Sequence, residues 1–184
     1  MTMTAPDDVL KRIKDNIGAH PDFPIKGIIF RDVFPLMRKP DVFRECIQVM
    51  TDRIKGVCPD VSAIVGLDAR GFIFAPLIAQ SLNVSFVPVR KKGKLPGSTM
   101  SADYTLEYGK DCLEVQKDSI LPGQKVVIVD DLLATGGTMK AAHELMQAMK
   151  ADVVECMVVI ELPDLKGRDK IPTNLYSLVK FEGD

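Results

Sequence analysis

The chain has 184 residues, 46% of them hydrophobic, and a formal net charge of −1. That size and composition suit one compact α/β domain with a real core, and the near-neutral charge gives no global field to draw in nucleic acid or an anionic membrane. No apolar run approaches the ~18 residues of a membrane span.

The N-terminal MTMTAPDDVLKRIKD lacks the apolar stretch of a signal peptide and carries acids that a transit peptide avoids. Cys46, Cys58, Cys112 and Cys156 are widely spaced, without a CxxC, and neither histidine is near them in sequence. This speaks for reduced thiols in a cytoplasmic protein and against a zinc site.

In chain order, Leu10, Ile13 and Ile17 repeat at helical spacing after Asp7 and Asp8, which predicts a short amphipathic helix. Residues 20–27, with two prolines and a glycine, read as loop. Residues 28–32 form a short apolar burst ending in charge. Residues 41–55 read as a helix lined by Phe43, Cys46, Ile47, Met50 and Ile54, with Pro40 in its first turn. From there the pattern is βα: strand 61–65, loop Gly66–Gly71, helix 72–82, strand 85–89. Residues 95–111 are polar, contain Pro96, Gly97 and Gly109, and show no periodicity. A strand at 112–116, a central strand from Val126, a helix to about Lys150, a strand at 153–160 and an edge strand at 176–181 complete the chain. Alternating strands and helices predict a mainly parallel sheet flanked by helices, with ligands at the C-terminal ends of the strands. His20 and His143 read as surface or helix residues, and Met139, Met146 and Met149 as core.

The most informative stretch is VVIVDDLLATGGT, residues 126–138. A β-branched apolar run bounded by polar residues reads as a strand buried on both faces. Two acids, Asp130 and Asp131, follow. Then come Ala134, Thr135, Gly136, Gly137 and Thr138, and a helix whose apolar face holds Met139, Ala142, Leu145, Met146 and Met149. Glycines let the backbone approach an anion, threonines add donors, and the helix N-terminus favours negative charge. The loop therefore reads as a monophosphate cradle. The adjacent carboxylates suit a ribose 2′,3′-diol, because they accept hydrogen bonds. Phosphate plus ribose predicts a ribose 5-phosphate site. Neither a G-x-G-x-x-G after a strand nor a G-x-x-x-x-G-K-[ST] is present.

Other candidates fall on the same rim. The Gly66–Gly71 loop offers two glycines to bend around an anion, and Arg70 to bind diphosphate. The basic run Arg90 to Lys94 is either a solvated face or a cation cluster that stabilises a departing diphosphate. Residues 95–111 read as a long loop beside the site, of the kind that closes as a lid. Glu107 within it could manage the ring proton of an attacking base. Phe30, beside Arg31, is either core or a stacking platform.

This set resembles the purine/pyrimidine phosphoribosyltransferase family, type I, and within it the members that act on adenine. The resemblance rests on PDFPIKGIIFRD (21–32), GLDARGF (66–72), RKKGKLPG (90–97), LEYGK (106–110) and residues 126–138. It implies a single domain over 1–184, with an N-terminal arm and hood to about residue 35 and a flexible lid over about 95–111. It implies magnesium, a homodimer, and conversion of adenine and 5-phosphoribosyl 1-pyrophosphate to AMP and pyrophosphate. By position, Ile29, Phe30, Arg31 and Leu132 would bind the base, and Asp130 and Asp131 the ribose. Residues 134–138 would bind the 5′-phosphate, and Asp68, Arg70, Arg90, Lys94 and Tyr108 the pyrophosphate, with Glu107 as acid/base. No metal-ligand cluster is expected, magnesium being held mainly by substrate and water. The alternatives are a 6-oxopurine phosphoribosyltransferase and a non-catalytic ribose-phosphate sensor.

Overall fold

The computed structural model describes residues 7–106 and 109–183. In chain order the elements are α1 (Asp7–Asp15), β1 (Gly18–Pro21), β2 (Ile29–Asp32), α2 (Phe34–Met37), α3 (Pro40–Val57), β3 (Ala63–Leu67), α4 (Gly71–Leu82) and β4 (Ser85–Lys91). Then follow β5 (Thr99–Leu106), β6 (Gly109–Gln116), β7 (Lys125–Leu133), α5 (Gly137–Ala148), β8 (Asp152–Glu161), two 3₁₀ turns (Pro163–Leu165 and Gly167–Lys170) and β9 (Asn174–Lys180).

The main sheet runs β5-β6-β4-β3-β7-β8-β9. The five strands β4, β3, β7, β8 and β9 are mutually parallel, and β6 joins β4 antiparallel. A separate antiparallel pair, β1 and β2, is the hood, with Gly18 opposite Asp32 and Pro21 opposite Ile29. Among the described residues no helix is long and apolar enough to cross a membrane.

Strand β7 shows why the sheet sits where it does. Its side chains alternate between two cores. Val127 and Val129 pack with Met50, Ile54, Phe74 and Ile78 under α3 and α4. Val126 and Ile128 pack with Met139, Leu145 and Met146 under α5. A strand wetted on neither face needs β-branched residues on both, as this run provides. Pro40 opens α3, where its missing N–H costs nothing.

Four elements depart from the sequence reading. Residues 95–111 are not an aperiodic loop throughout. Thr99–Leu106 and Gly109–Gln116 form an antiparallel hairpin, with Thr99 opposite Gln116 and Leu106 opposite Gly109. Main-chain pairing supplies order there that apolar periodicity does not signal. Strand β7 runs on through Asp130 and Asp131 to Leu133, pairing with β8 as far as Glu161, so the acids lie in the strand and not after it. Residues 18–21 form a strand that runs into the stretch 20–27 read as loop, made possible by the pairing partner β2. His143 lies in helix α5, the helix alternative of its reading, but is buried, 4% exposed, and not at the surface.

Candidate active site

Strand β4 leaves β3 on one side, while β7, β8 and β9 build out on the other. The C-terminal ends of β3 and β7 therefore flank the point where strand order reverses, and the loops after them splay to leave a crevice. Residues 68–70 follow β3, and residues 134–136 follow β7. Across this crevice Arg70 Nε approaches Asp131 Oδ2 at 2.7 Å. The alignment falls short of a hydrogen bond, so the buried Oδ2 has no hydrogen-bond donor of its own. Asp131 is thus held by charge at the wall of the crevice, its Oδ2 turned to Arg70.

Tight backbone packing brings these loops together. At Gly71, the first residue of α4, a Cβ would lie 2.7 Å from the Val129 carbonyl oxygen and 3.1 Å from Asp130 Oδ1. At Gly66 it would lie 2.8 Å from both Ala75 Cβ and the Phe86 ring. The sequence reading gave these two glycines the task of bending the loop around an anion. Their function in the structure is close approach: helix α4 lies hard against β3 and β7, and Arg70 is thereby carried to the acids. Between the two glycines the Asp68–Ala69 peptide is cis.

The second half of the crevice is a small hollow of about 100 Å³ lined by Asp130, Leu132 and residues 133–139. Gly136 is the N-cap of α5, at φ 78°, a conformation that favours glycine. No side chain caps the helix, so its first-turn N–H groups remain for an anion. Ala134, Thr135, Gly136, Gly137 and Thr138 all border this hollow, as the sequence spacing predicts.

A larger cavity of about 380 Å³ adjoins it, sharing Leu132, Ala134 and Thr135. It contains Ile29, Phe30, Arg31 and Arg70, so the hood and the crevice face each other. Phe23 meets Phe30 edge to face at 5.3 Å, and the Arg70 guanidinium lies 5.3 Å from the Phe30 ring centre. Phe30 is thus a cavity residue and not a core residue. Sequence reasoning missed the opposite side of the cavity, made by Leu162, Asp164, Leu165 and Phe181. Nothing in their sequence pattern marks them, because they follow the ends of β8 and β9 and meet the hood only in three dimensions.

Arg90 and Lys94 border neither cavity. Arg90 Nε donates to Asp68 Oδ2 at 2.8 Å, and its other end donates to the Lys94 carbonyl at 3.1 Å. Asp68, Arg90 and the turn at 94 thereby form one unit beside the β3 loop. That turn is anchored by Glu114, 4% exposed, whose Oε1 accepts from the backbone N–H of Lys94 and Leu95 at 2.9 and 2.8 Å. Burial pushes the Glu114 pKa up, but hydrogen bonds from the backbone of 93–95 and from Thr99 outweigh it, and the net shift is downward. Glu114 was another omission of the sequence reading, although a lone acid between Leu113 and Val115 in a strand is a usable signal. Glu107 and Tyr108 lie outside the described residues.

The acidic pair has the opposite electrostatics. Burial, then the neighbouring Asp131 charge, raises the Asp130 pKa well above the carboxylate range, with Arg70 acting against it. Burial also raises Asp131, again opposed chiefly by Arg70. Two close carboxylates, one of them ion-paired with Arg70, attract hydrogen-bond donors or positive charge.

Residues 38–182 match the model of the phosphoribosyl transferase domain. The adenine phosphoribosyltransferase of Rattus norvegicus is 53% identical over 175 residues, spanning 94% of this chain and 97% of the relative. Its Mus musculus counterpart is 51% identical over the same shares. Among solved structures, adenine phosphoribosyltransferase from Saccharomyces cerevisiae, complexed with an imino-altritol bisphosphate and adenine, superposes with a TM-score of 0.92 at 41% identity, covering 95% of this chain and all of the other. The Trypanosoma brucei enzyme, in complex with AMP, pyrophosphate and ribose-5-phosphate, gives 0.87 at 30% identity, covering 97% and 82%.

Proposed function

Because the chain belongs to the phosphoribosyltransferase family, and within it to the adenine phosphoribosyltransferases, we infer that it converts adenine and 5-phosphoribosyl 1-pyrophosphate to AMP and pyrophosphate in purine salvage. One observation carries this reading. A base-sized cavity and a phosphate-sized hollow share Leu132, Ala134 and Thr135, with Asp130 lining the hollow and Arg70, the ion-pair partner of Asp131, lining the cavity. A nucleoside monophosphate has that order of parts: base, ribose, phosphate.

In the reaction the base N9 attacks the anomeric carbon. The new C–N bond forms as the C–O bond to diphosphate breaks, the leaving oxygen keeps the electron pair, and the base gives up a ring proton. The base edge meets the main chain of Ile29 and Arg31, with Phe30 and Leu132 against its faces. Backbone carbonyls accept from a 6-amino group, whereas a 6-oxo group would set acceptor against acceptor. Asp130 and Asp131 hold the ribose hydroxyls, and the place of Asp130 on the lining of the hollow supports that assignment. Residues 134–138 bind the 5′-phosphate at the α5 N-terminus. Arg70 and the Asp68–Arg90–Lys94 unit face the diphosphate, joined by Tyr108. Glu107 manages the ring proton, and closure of a lid over the site excludes water that would otherwise capture the sugar cation.

Among the described residues no cluster of three or more His, Cys, Asp or Glu is placed to hold a metal. Magnesium would ride on diphosphate and ribose oxygens and on water, facing Asp130 and Asp131, whose raised pKa values suit an incoming cation. When bound it neutralises the leaving group. The reading also includes a homodimer in the cytoplasm, the latter supported by four free cysteines. Purified protein supplied with magnesium, phosphoribosyl pyrophosphate and adenine, hypoxanthine or guanine tests the substrate assignment. AMP formation from adenine alone is expected; equal turnover of a 6-oxopurine refutes the base assignment. No turnover of any base with AMP still bound would indicate a sensor. Sedimentation analysis checks the dimer.

A further inference from the structure

Among the described residues strand β2 has only β1 as a strand partner, so the main sheet's ladder does not fix the hood that borders the base. Side chains must do so. One of them is Phe181, the first residue past β9. The Arg31 guanidinium lies 4.0 Å from the Phe181 ring centre, and the Lys14 ammonium of α1 lies 4.9 Å from it. A ring that interacts with two cations is held electrostatically as well as by contact.

The segment that carries the ring is itself tied down. Phe181 N donates to the Glu161 carbonyl at 3.1 Å, and Gly183 N donates to Asp164 Oδ2 at 2.6 Å. Phe181 and Asp164 both border the 380 Å³ cavity, together with Leu162 and Leu165.

We propose that Phe181 is a positioning residue for the base: its ring fixes Arg31, and with it the main chain of β2, against the cavity whose lining it shares. This rests on the adenine reading of the cavity. Phe181 does not touch the reacting atoms. It acts through Arg31, so its loss weakens capture of the base and leaves the phosphoribosyl side as it was.

The test compares wild type with Phe181→Leu, Phe181→Ala and Phe181→Tyr by steady-state kinetics in both substrates. Leucine keeps apolar bulk but has no π face; tyrosine keeps the face. The KM for adenine should rise by about 5–30-fold in the leucine and alanine variants, the scale of losing two such cation contacts. The KM for phosphoribosyl pyrophosphate should stay within about twofold, and tyrosine should restore the wild-type value. If alanine fails to fold, the leucine variant decides. An unchanged adenine KM in Phe181→Leu overturns the proposal, as does an equal rise in both KM values. Failure of the wild type to use adenine overturns the function reading instead, so the two failures are distinct.

Discussion

Gly167, in the second 3₁₀ turn, makes the most demanding contact with the phosphate hollow. A Cβ there would fall 2.1 Å from the Ala134 carbonyl oxygen, 2.9 Å from Gly136 N and 3.0 Å from the Ala134 carbonyl carbon. All three atoms are backbone, so no side chain can swing aside. From the other direction, a Cβ at Gly136 would fall 2.4 Å from the Gly167 carbonyl oxygen. The turn after β8 and the cradle after β7 are thus pressed together. In Gly167→Ala one of them must retreat by about 1 Å to restore ordinary contact. Overpacking of this kind costs about 1–3 kcal/mol, which in a chain of this size lowers Tm by roughly 2–10 °C. The catalytic effect should be larger, because misplacing a substrate by ~1 Å can cost ~10²-fold. We expect kcat/KM for phosphoribosyl pyrophosphate to fall by about 10–100-fold, with near-native circular dichroism and adenine KM changed much less. Initial-rate kinetics in each substrate, with a melting curve, measure both effects. A Gly167→Ala enzyme with wild-type kcat/KM for phosphoribosyl pyrophosphate would refute the bracing argument.

Further expectations concern the acids and the base platform. Asp130→Asn should lose charged hydrogen bonding to the ribose, lowering kcat/KM by about 10–100-fold, yet raise Tm at neutral pH. An acid with a raised folded-state pKa contributes stability that is full below the ordinary carboxylate pKa and lost as pH rises through the folded value. The stability advantage of asparagine should therefore shrink toward pH 4, and melting curves across pH that show a constant difference would contradict the electrostatic account. Glu114 has the opposite sign: its pKa is lowered, so its contribution is full at neutral pH and lost on acidification through the folded value. Glu114→Ala should raise the KM for phosphoribosyl pyrophosphate while sparing adenine, and Glu114→Gln, which keeps an acceptor, should recover most of it; parallel kinetics decide. Phe30→Ala should raise the adenine KM by about tenfold through loss of ring stacking, read by the same assay. Glu107→Gln should lower kcat by about 10²–10⁴-fold while AMP binding by calorimetry persists; unchanged kcat would remove Glu107 from the chemistry.

Local order along the chain was decisive for much of this protein. The βα alternation, the doubly buried run at 126–129 and the Thr-Gly-Gly-Thr loop entering α5 follow from periodicity, β-branching and glycine chemistry, each legible over a dozen residues. They are enough to place the small residues 134–138, and the acids near them, on one rim. What needed the tertiary structure was anything fixed by a partner distant in sequence. Residues 99–106 and 109–116 pair because two polar strands satisfy each other's backbone, which no apolar pattern reveals. Gly66, Gly71 and Gly167 are required by backbone atoms on other elements, so their purpose appears only when those elements pack. Asp131 meets Arg70 only because the packing of α4 against β3 and β7 brings the two together. Leu162, Asp164 and Phe181 face the base cavity because β8 and β9 end under the hood. Sequence encodes which groups are available for chemistry; the register and twist of the sheet decide which of them meet, since those contacts arise from packing that no single segment contains.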